Sequence, residues 1–336
     1  MNFWLELIIK LVAILGFVLT GALVVIYAEL KAGSHMQGRI GPYYAGVRWG
    51  WAQPLADGLK FLQKEDLSPT GADRTIYGLA PYVVMMSTIA VFVVIPFGPD
   101  MVGRDLDLGI YFILAISSLS VLGILMAGWS SANKYSLMGG LRAAAQLIAY
   151  ELPLVLAAAA VVVQAGTMSM NGIVLAQSET WFTVAGIDVA MPFLLKGQII
   201  SFIIFMIAVV AELSRIPFDM PIAESELTMG YLTEYSGIRF TMFFLGEYAS
   251  MIAFSAIAAT LFLGGYAAPG VPDGLANLVG PGVMLLKIAL LVFVIIWIRW
   301  TWPRLREDQL QRLAWFWLIP IALANIAVVA IFKVVF

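Results

Sequence analysis

The chain is 336 residues long, 62% hydrophobic and only 12% charged, with a formal net charge of −2. Soluble domains carry about a quarter charged residues, so the composition excludes an ordinary water-soluble globular protein. With no cysteine and a single histidine, His35, the sequence has no ligand set for an iron–sulfur centre, haem or zinc. Any electron chemistry it serves must use a redox centre on another chain.

The apolar residues fall into eight runs, near 4–28, 79–97, 109–129, 143–164, 193–212, 241–263, 282–300 and 314–335. Each has about the twenty residues that an α-helix needs to cross roughly 30 Å of hydrocarbon. Barrel strands would show short alternating patterns instead. The expectation is an all-α integral membrane protein with eight transmembrane helices, forming a single membrane domain over 1–336. The first run is too long for a signal h-region and lacks a basic n-region, so it is expected to be retained. No internal repeat or low-complexity tract is visible.

The connections after runs one, three, five and seven contain Lys31, Arg39, Arg48, Lys60, Lys64, Arg74, Lys134, Arg142, Arg215, Arg239, Arg304, Arg306 and Arg312. The alternate connections contain only Arg104. The positive-inside rule then places the basic loops in the cytoplasm and both termini outside.

The first of these loops, 29–77, contains "MQGRIGP" (36–42), a tight turn around Arg39. It continues into "GWAQPLADGLKFLQKED" (50–66), which sets Trp51, Leu55, Leu59 and Leu62 on one helical face and Asp57, Lys60 and Lys64 on another. Pro54 suits an early helical position. This spacing predicts a short amphipathic helix on the membrane surface, although a solvated loop end would show the same pattern.

Ionisable groups inside a span are costly unless they pair, meet water or stay neutral, and are therefore functional candidates. Glu151, in "LRAAAQLIAYELPLVL" (141–156), has Leu147 and Val155 one turn away and thus no intrahelical cation. It suits a proton relay, or structural hydrogen bonding across helices. Arg142, Gln146 and Tyr150 form a polar stripe on an adjacent face. Glu212, at the end of run five, is placed to pair with Arg215 three residues on. Glu247 lies inside run six, again without an intrahelical cation. The intervening loop, 214–239, is stopped by Pro217 and Pro221, resumes as a helix over 222–236, and concentrates Asp219, Glu224, Glu226 and Glu234.

Several stretches together carry a family resemblance. They are "MQGRIGP" (36–42), "QPLADGLKFLQKED" (53–66), "GWSSANKYSLMGGLRAAAQLIAYELPL" (128–154), "AELSRIPFDMPIAESEL" (211–227), "MGYLTEYSG" (229–237), "FLGEY" (244–248) and "WIRWTWPRLREDQL" (297–310). The chain closely resembles the family of H-type membrane subunits of bacterial NADH:quinone oxidoreductase (respiratory complex I), which includes the mitochondrial and plastid equivalents. The match runs nearly end to end.

The resemblance implies a membrane subunit of a proton-translocating, quinone-reducing respiratory complex in the bacterial inner membrane. Quinone would be its substrate, with no covalent cofactor, no metal in this chain and no nucleic acid. It implies partners too: peripheral iron–sulfur subunits on the cytoplasmic side, and small and antiporter-like membrane subunits within the bilayer. Gln37, Arg39, Asp57, Lys60, Lys64 and Glu65 would lie around the chamber entrance or docking face, and Arg215, Phe218 and Asp219 would line the chamber. Glu151, Glu212, Glu224, Glu226, Glu234 and Glu247 would form an acidic proton-coupling path, with Tyr150 and Arg142 beside it.

Three positions depart from the family pattern: Leu30 follows Glu29 where arginine is usual, Ile222 replaces a glutamate, and Ser214 replaces asparagine. They leave room for the membrane subunit of a hydrogenase-type relative with another electron donor. A stand-alone proton-coupled transporter is the reading from a different class, but the related halves common in transporters are not visible.

Overall fold

The computed structural model describes residues 3–184, 187–267 and 273–335. In chain order its elements are α1 (Phe3–Met36), α2 (Gln53–Gln63), α3 (Arg74–Val91), α4 (Gly109–Ser117), α5 (Leu119–Ser130), α6 (Lys134–Ala165) and α7 (Met170–Ser178). There follow two short strands, β1 (Thr180–Val184) and β2 (Ile187–Ala190), then α8 (Ile199–Glu212), α9 (Glu224–Leu227) and α10 (Gly237–Phe262). The last elements are α11 (Asp273–Thr301), α12 (Glu307–Arg312) and α13 (Ile319–Val335), with α12 and α13 joined through a π-helical turn, Leu313–Leu318.

Six helical segments among the described residues are long and apolar enough to cross a membrane: Trp4–Met36, Gly109–Ser130, Lys134–Ala165, Gly237–Phe262, Asn277–Thr301 and Glu307–Val335. Two expected spans are not among these six. The run 79–97 becomes the 18-residue α3, which starts early because Asp73 caps it, accepting from the Thr75 and Ile76 amides. It ends at Val91, so its first turn carries Arg74 and polar residues in place of the apolar end of the run. The run 193–212 becomes the 14-residue α8, because the chain turns at Gly197, whose φ is +99°. The all-α class is borne out, and β1 and β2 add a single antiparallel hairpin in the connection before α8.

α10 is the axis of the bundle. From Met251 to Phe262 every residue is buried, as befits a helix apolar all round. α1, α3, α8 and α11 pack against it, while α5, α6 and α13 form an outer layer held together by α6. The "GG" of α6 explains how closely these layers approach. A Cβ on Gly128 of α5 would stand 2.9 Å from the Gly140 Cα, and one on Gly139 would stand 2.6 Å from the Gly230 Cα. Small residues let helix backbones meet where lipid provides no hydrophobic driving force. Gly139 therefore serves the loop and Gly140 the neighbouring helix.

The amphipathic helix is present as α2, between α1 and α10, with Phe61 tilted against Phe240 at 5.5 Å. The apolar face read from the sequence, Trp51, Leu55, Leu59 and Leu62, points away from the bundle and is exposed.

The close contact at Gly139 is directly testable. Gly139→Val drives a branched side chain into loop backbone, and overpacking of this kind costs about 1–3 kcal/mol. The variant is expected to lower the thermal midpoint of the purified protein, whereas Gly58→Ala, at an open position on α2, should not.

Candidate functional site

The loop after α8 does not behave as a surface loop. Arg215 is 3% exposed and Glu29 on α1 is 4% exposed. Arg215 Nη1 bonds Glu29 Oε2, and its Nη2 lies 2.8 Å from Glu247 Oε1 on α10. Its guanidinium also stacks over the Tyr248 ring at 4.5 Å. Arg299, near the end of α11, bonds the other Glu29 oxygen. Four segments thus meet in an alternating cluster of two arginines and two glutamates. In a low-dielectric interior such a cluster persists only if each charge is met by its opposite.

This overturns one expectation. Glu212 does not pair with Arg215, because the chain turns sharply at Ser214 (φ +50°) and sends the arginine toward α1 and α10. Glu212 Oε2 is buried with no hydrogen-bond partner among the described residues. Its electrostatic neighbour is Glu151, near the middle of α6 and partly buried. Neither carboxyl forms an ion pair with Arg215 or Arg299 among the described residues.

The polar stripe of α6 holds this loop in place. Gln146 Nε2 donates to the carbonyls of Ala211 at 2.7 Å and Phe218 at 2.8 Å. Phe218, itself buried, packs edge-on against Tyr150 with ring centroids 5.1 Å apart. The Tyr150 hydroxyl donates to the Leu310 carbonyl at 2.9 Å. Arg142 reaches Glu226 at 2.7 Å and Glu307 at 3.9 Å, and Arg304 reaches the other Glu226 oxygen at 3.4 Å. Arg142 and Tyr150, expected beside an acidic path, are thus bound to the loop and to α12.

Asp219 sits partly buried on the loop. Burial pushes its carboxyl up to about 6, against the pull of Arg304 and Arg299. Its neutral form is therefore the one that folding favours, and the charged form appears as pH rises through about 6.

The remaining residues lie apart. Gln37 and Arg39 are exposed and bonded to one another, Nε to Oε1, at 2.7 Å. On α2, Gln53 donates to Asp57 at 3.1 Å, while Lys60, Lys64 and Glu65 are exposed. No hydrogen bond or ion pair among the described residues ties any of them to Arg215. Glu224 is exposed at the start of α9. Glu234 accepts from Asn133 at 2.6 Å, and its backbone carbonyl accepts from Tyr77. The helix expected over 222–236 is reduced to α9 and a 3-10 turn, Gly230–Leu232, because Ala223 (φ +27°) and Thr228 (φ +65°) interrupt it. The acids expected along one path thus fall into separate groups.

Sequence reasoning overlooked Glu29, Arg299 and Arg304 as site residues. A signal existed. Arg299 lies inside an apolar run, where an arginine demands a partner, and Glu29 closes the first run.

Removing Arg215 leaves Glu29 and Glu247 short of positive charge, so Arg215→Gln is expected to cost about 3–5 kcal/mol of stability. Adding Glu247→Gln should recover part of that loss. Unfolding of the two variants in detergent measures the coupling, and a double variant no better than the single would show that the pair does not interact.

The family model described as NADH dehydrogenase matches residues 9–330. The chain is 44% identical over 329 residues to the H-type subunit of NADH-quinone oxidoreductase in Bacillus mycoides, covering 98% of this chain and 93% of that one. It is also 44% identical over 330 residues to the subunit of the same name in Dehalococcoides mccartyi, covering 98% and 87%. The counterpart in Geobacillus kaustophilus is 44% identical over 325 residues, covering 96% and 91%. A likeness of this extent, spread over nearly the whole chain, places the protein in the NADH dehydrogenase family, among the H-type membrane subunits of NADH-quinone oxidoreductase.

Proposed function

We propose that this chain, a membrane subunit of a NADH-quinone oxidoreductase, walls part of the quinone chamber with its Arg215 loop and couples quinone reduction to proton movement through its buried carboxyls. The carrying observation is the loop itself: Phe218 is held by α6, Arg215 by Glu29 and Glu247, and the Asp219 carboxyl is pushed up to about 6 against the pull of Arg304 and Arg299. Enzymes set such values at groups that must give or take protons at working pH.

Reduction of a quinone to its quinol consumes two electrons and two protons. The sequence offers no cysteine, and no group of metal-ligating side chains is found among the described residues. The electrons therefore come from a centre on a neighbouring peripheral subunit, docked on the Arg39 turn and on Lys60, Lys64 and Glu65 at and just past the end of α2. Asp219 supplies or relays a proton to the reduced ring. Loss of that proton leaves an added negative charge, felt by Arg299 and Arg304 and, through them, by the Glu29–Arg215–Glu247 cluster. Glu212 and Glu151 lie deeper in the bundle and take up the proton that the change in field makes favourable. The path leads on toward the antiporter-like membrane subunits. In this reading the chain crosses a bacterial inner membrane eight times, with α3 and α8 as the remaining crossings and both termini outside.

Two variants test the assignment. Asp219→Asn keeps the shape and loses the titration. It is expected to cut quinone reduction about tenfold or more, to abolish the pH dependence near 6, and to spare NADH oxidation by an artificial acceptor. Equal loss of both activities would point to a folding role. Glu151→Gln should leave assembly intact and suppress proton pumping in membrane vesicles, with Glu151→Asp retaining a fraction of it. Wild-type coupled pumping in the glutamine variant would remove Glu151 from the path, since an amide serves equally well as a hydrogen-bonding group.

A further inference from the structure

Two lysines that the sequence puts within apolar runs line one cleft at the end of α6 remote from Arg142. Lys196 precedes α8, and Lys333 lies in the last turn of α13. They border a cleft of about 400 Å³ together with Gln164, Asn325, Val328 and Phe332. That volume is in the range of small-ligand pockets.

The cleft is built by directed hydrogen bonds. Lys333 Nζ donates to the Gln164 carbonyl at 2.6 Å, one of the last carbonyls of α6. The bare backbone of Gly166 allows this approach, since a Cβ there would stand 3.3 Å from the ammonium. Gln164 Nε2 donates to the Lys196 carbonyl at 3.2 Å and accepts at Oε1 from the fully buried Gln198 at 2.7 Å. Asn325, on α13, donates to Ser201 of α8 at 2.6 Å and fixes the third wall.

An ammonium has three donors. Lys333 uses one of them on Gln164, and Lys196 Nζ lies 5.7 Å from the centroid of the Phe193 ring. Neither lysine forms an ion pair among the described residues. Both line one cleft, whose α13 side presents Val328 and Phe332 as well as Asn325.

We propose that this cleft binds the phosphate of an anionic glycerophospholipid, with Lys196 and Lys333 on the phosphate and an acyl chain along Val328 and Phe332. A free phosphate would satisfy the lysines and leave the apolar wall uncovered. A zwitterionic lipid would bring its own cation toward two others.

The purified complex containing this chain, stripped of lipid and titrated with phosphatidylglycerol, tests the site. Lys196→Gln and Lys333→Gln are each expected to weaken binding about fivefold, and together about twenty-fivefold. Lys333→Arg should retain wild-type binding. Should the double variant fail to assemble, Lys333→Gln alone, at an exposed position, still decides. Inorganic phosphate is expected not to compete, and a photocrosslinker at Val328 is expected to capture lipid. Equal affinity for phosphatidylcholine, unchanged binding in the variants, competition by phosphate alone, or capture of a neighbouring chain at Val328 would each overturn the assignment.

Discussion

A buried guanidinium organises this molecule. Arg215 stands at the end of an apolar helix, where an isolated charge would cost several kcal/mol, and it is met by carboxylates from α1 and α10. Because Arg299 satisfies the second oxygen of Glu29, α11 is drawn into the same cluster. Elements distant in sequence are thus held in one arrangement by charge neutrality, which lipid enforces more strictly than water. A change of charge nearby must be felt by all of them, and this is the physical basis of the coupling proposed above.

α6 performs the complementary task. Its small residues admit α5 on one side and the Gly230 backbone on the other, while its polar stripe binds the loop 211–226 and α12. Most of that stripe is mechanical. Gln146 closes two backbone carbonyls that would otherwise be orphaned where α8 ends and the loop begins, and Tyr150 does the same at the π-helical widening before α13. Glu151, one residue on, belongs to a different face and has no part in holding the loop. Within one helix, adjacent positions therefore separate scaffolding from an intramembrane carboxyl.

The family departures read differently in three dimensions. Leu30 is substantially exposed beside a Glu29 that already has two arginine partners, so an arginine at that position would point away from the cluster. Ile222 packs partly buried against the cluster formed by Tyr77, Tyr231 and Phe243, filling apolar space. Ser214 occupies the left-handed turn that redirects Arg215, a conformation that asparagine also tolerates well. Two departures thus fall outside the buried charge cluster, and the third preserves the turn.

The sequence by itself determined the class: a helical membrane chain without cysteine, an amphipathic helix after the first span, and acids within the apolar runs at 151, 212 and 247. These are legible because apolar runs of span length and charges within them have few other physical explanations. It also marked the loop between α8 and α10 as the place where charge concentrates. Only the tertiary structure decided which charge meets which. The i, i+3 spacing of Glu212 and Arg215 suggested a local pair, but helical spacing holds only while the helix lasts, and the turn at Ser214 ends it. The shifted bounds of α3, the shortness of α8 and the β1–β2 hairpin escaped notice for a related reason: hydropathy counts apolar residues and is blind to where capping and backbone turns stop a helix. Partner choice among buried charges depends on contacts across tens to hundreds of residues, from Glu29 to Arg299, and no local pattern encodes those distances.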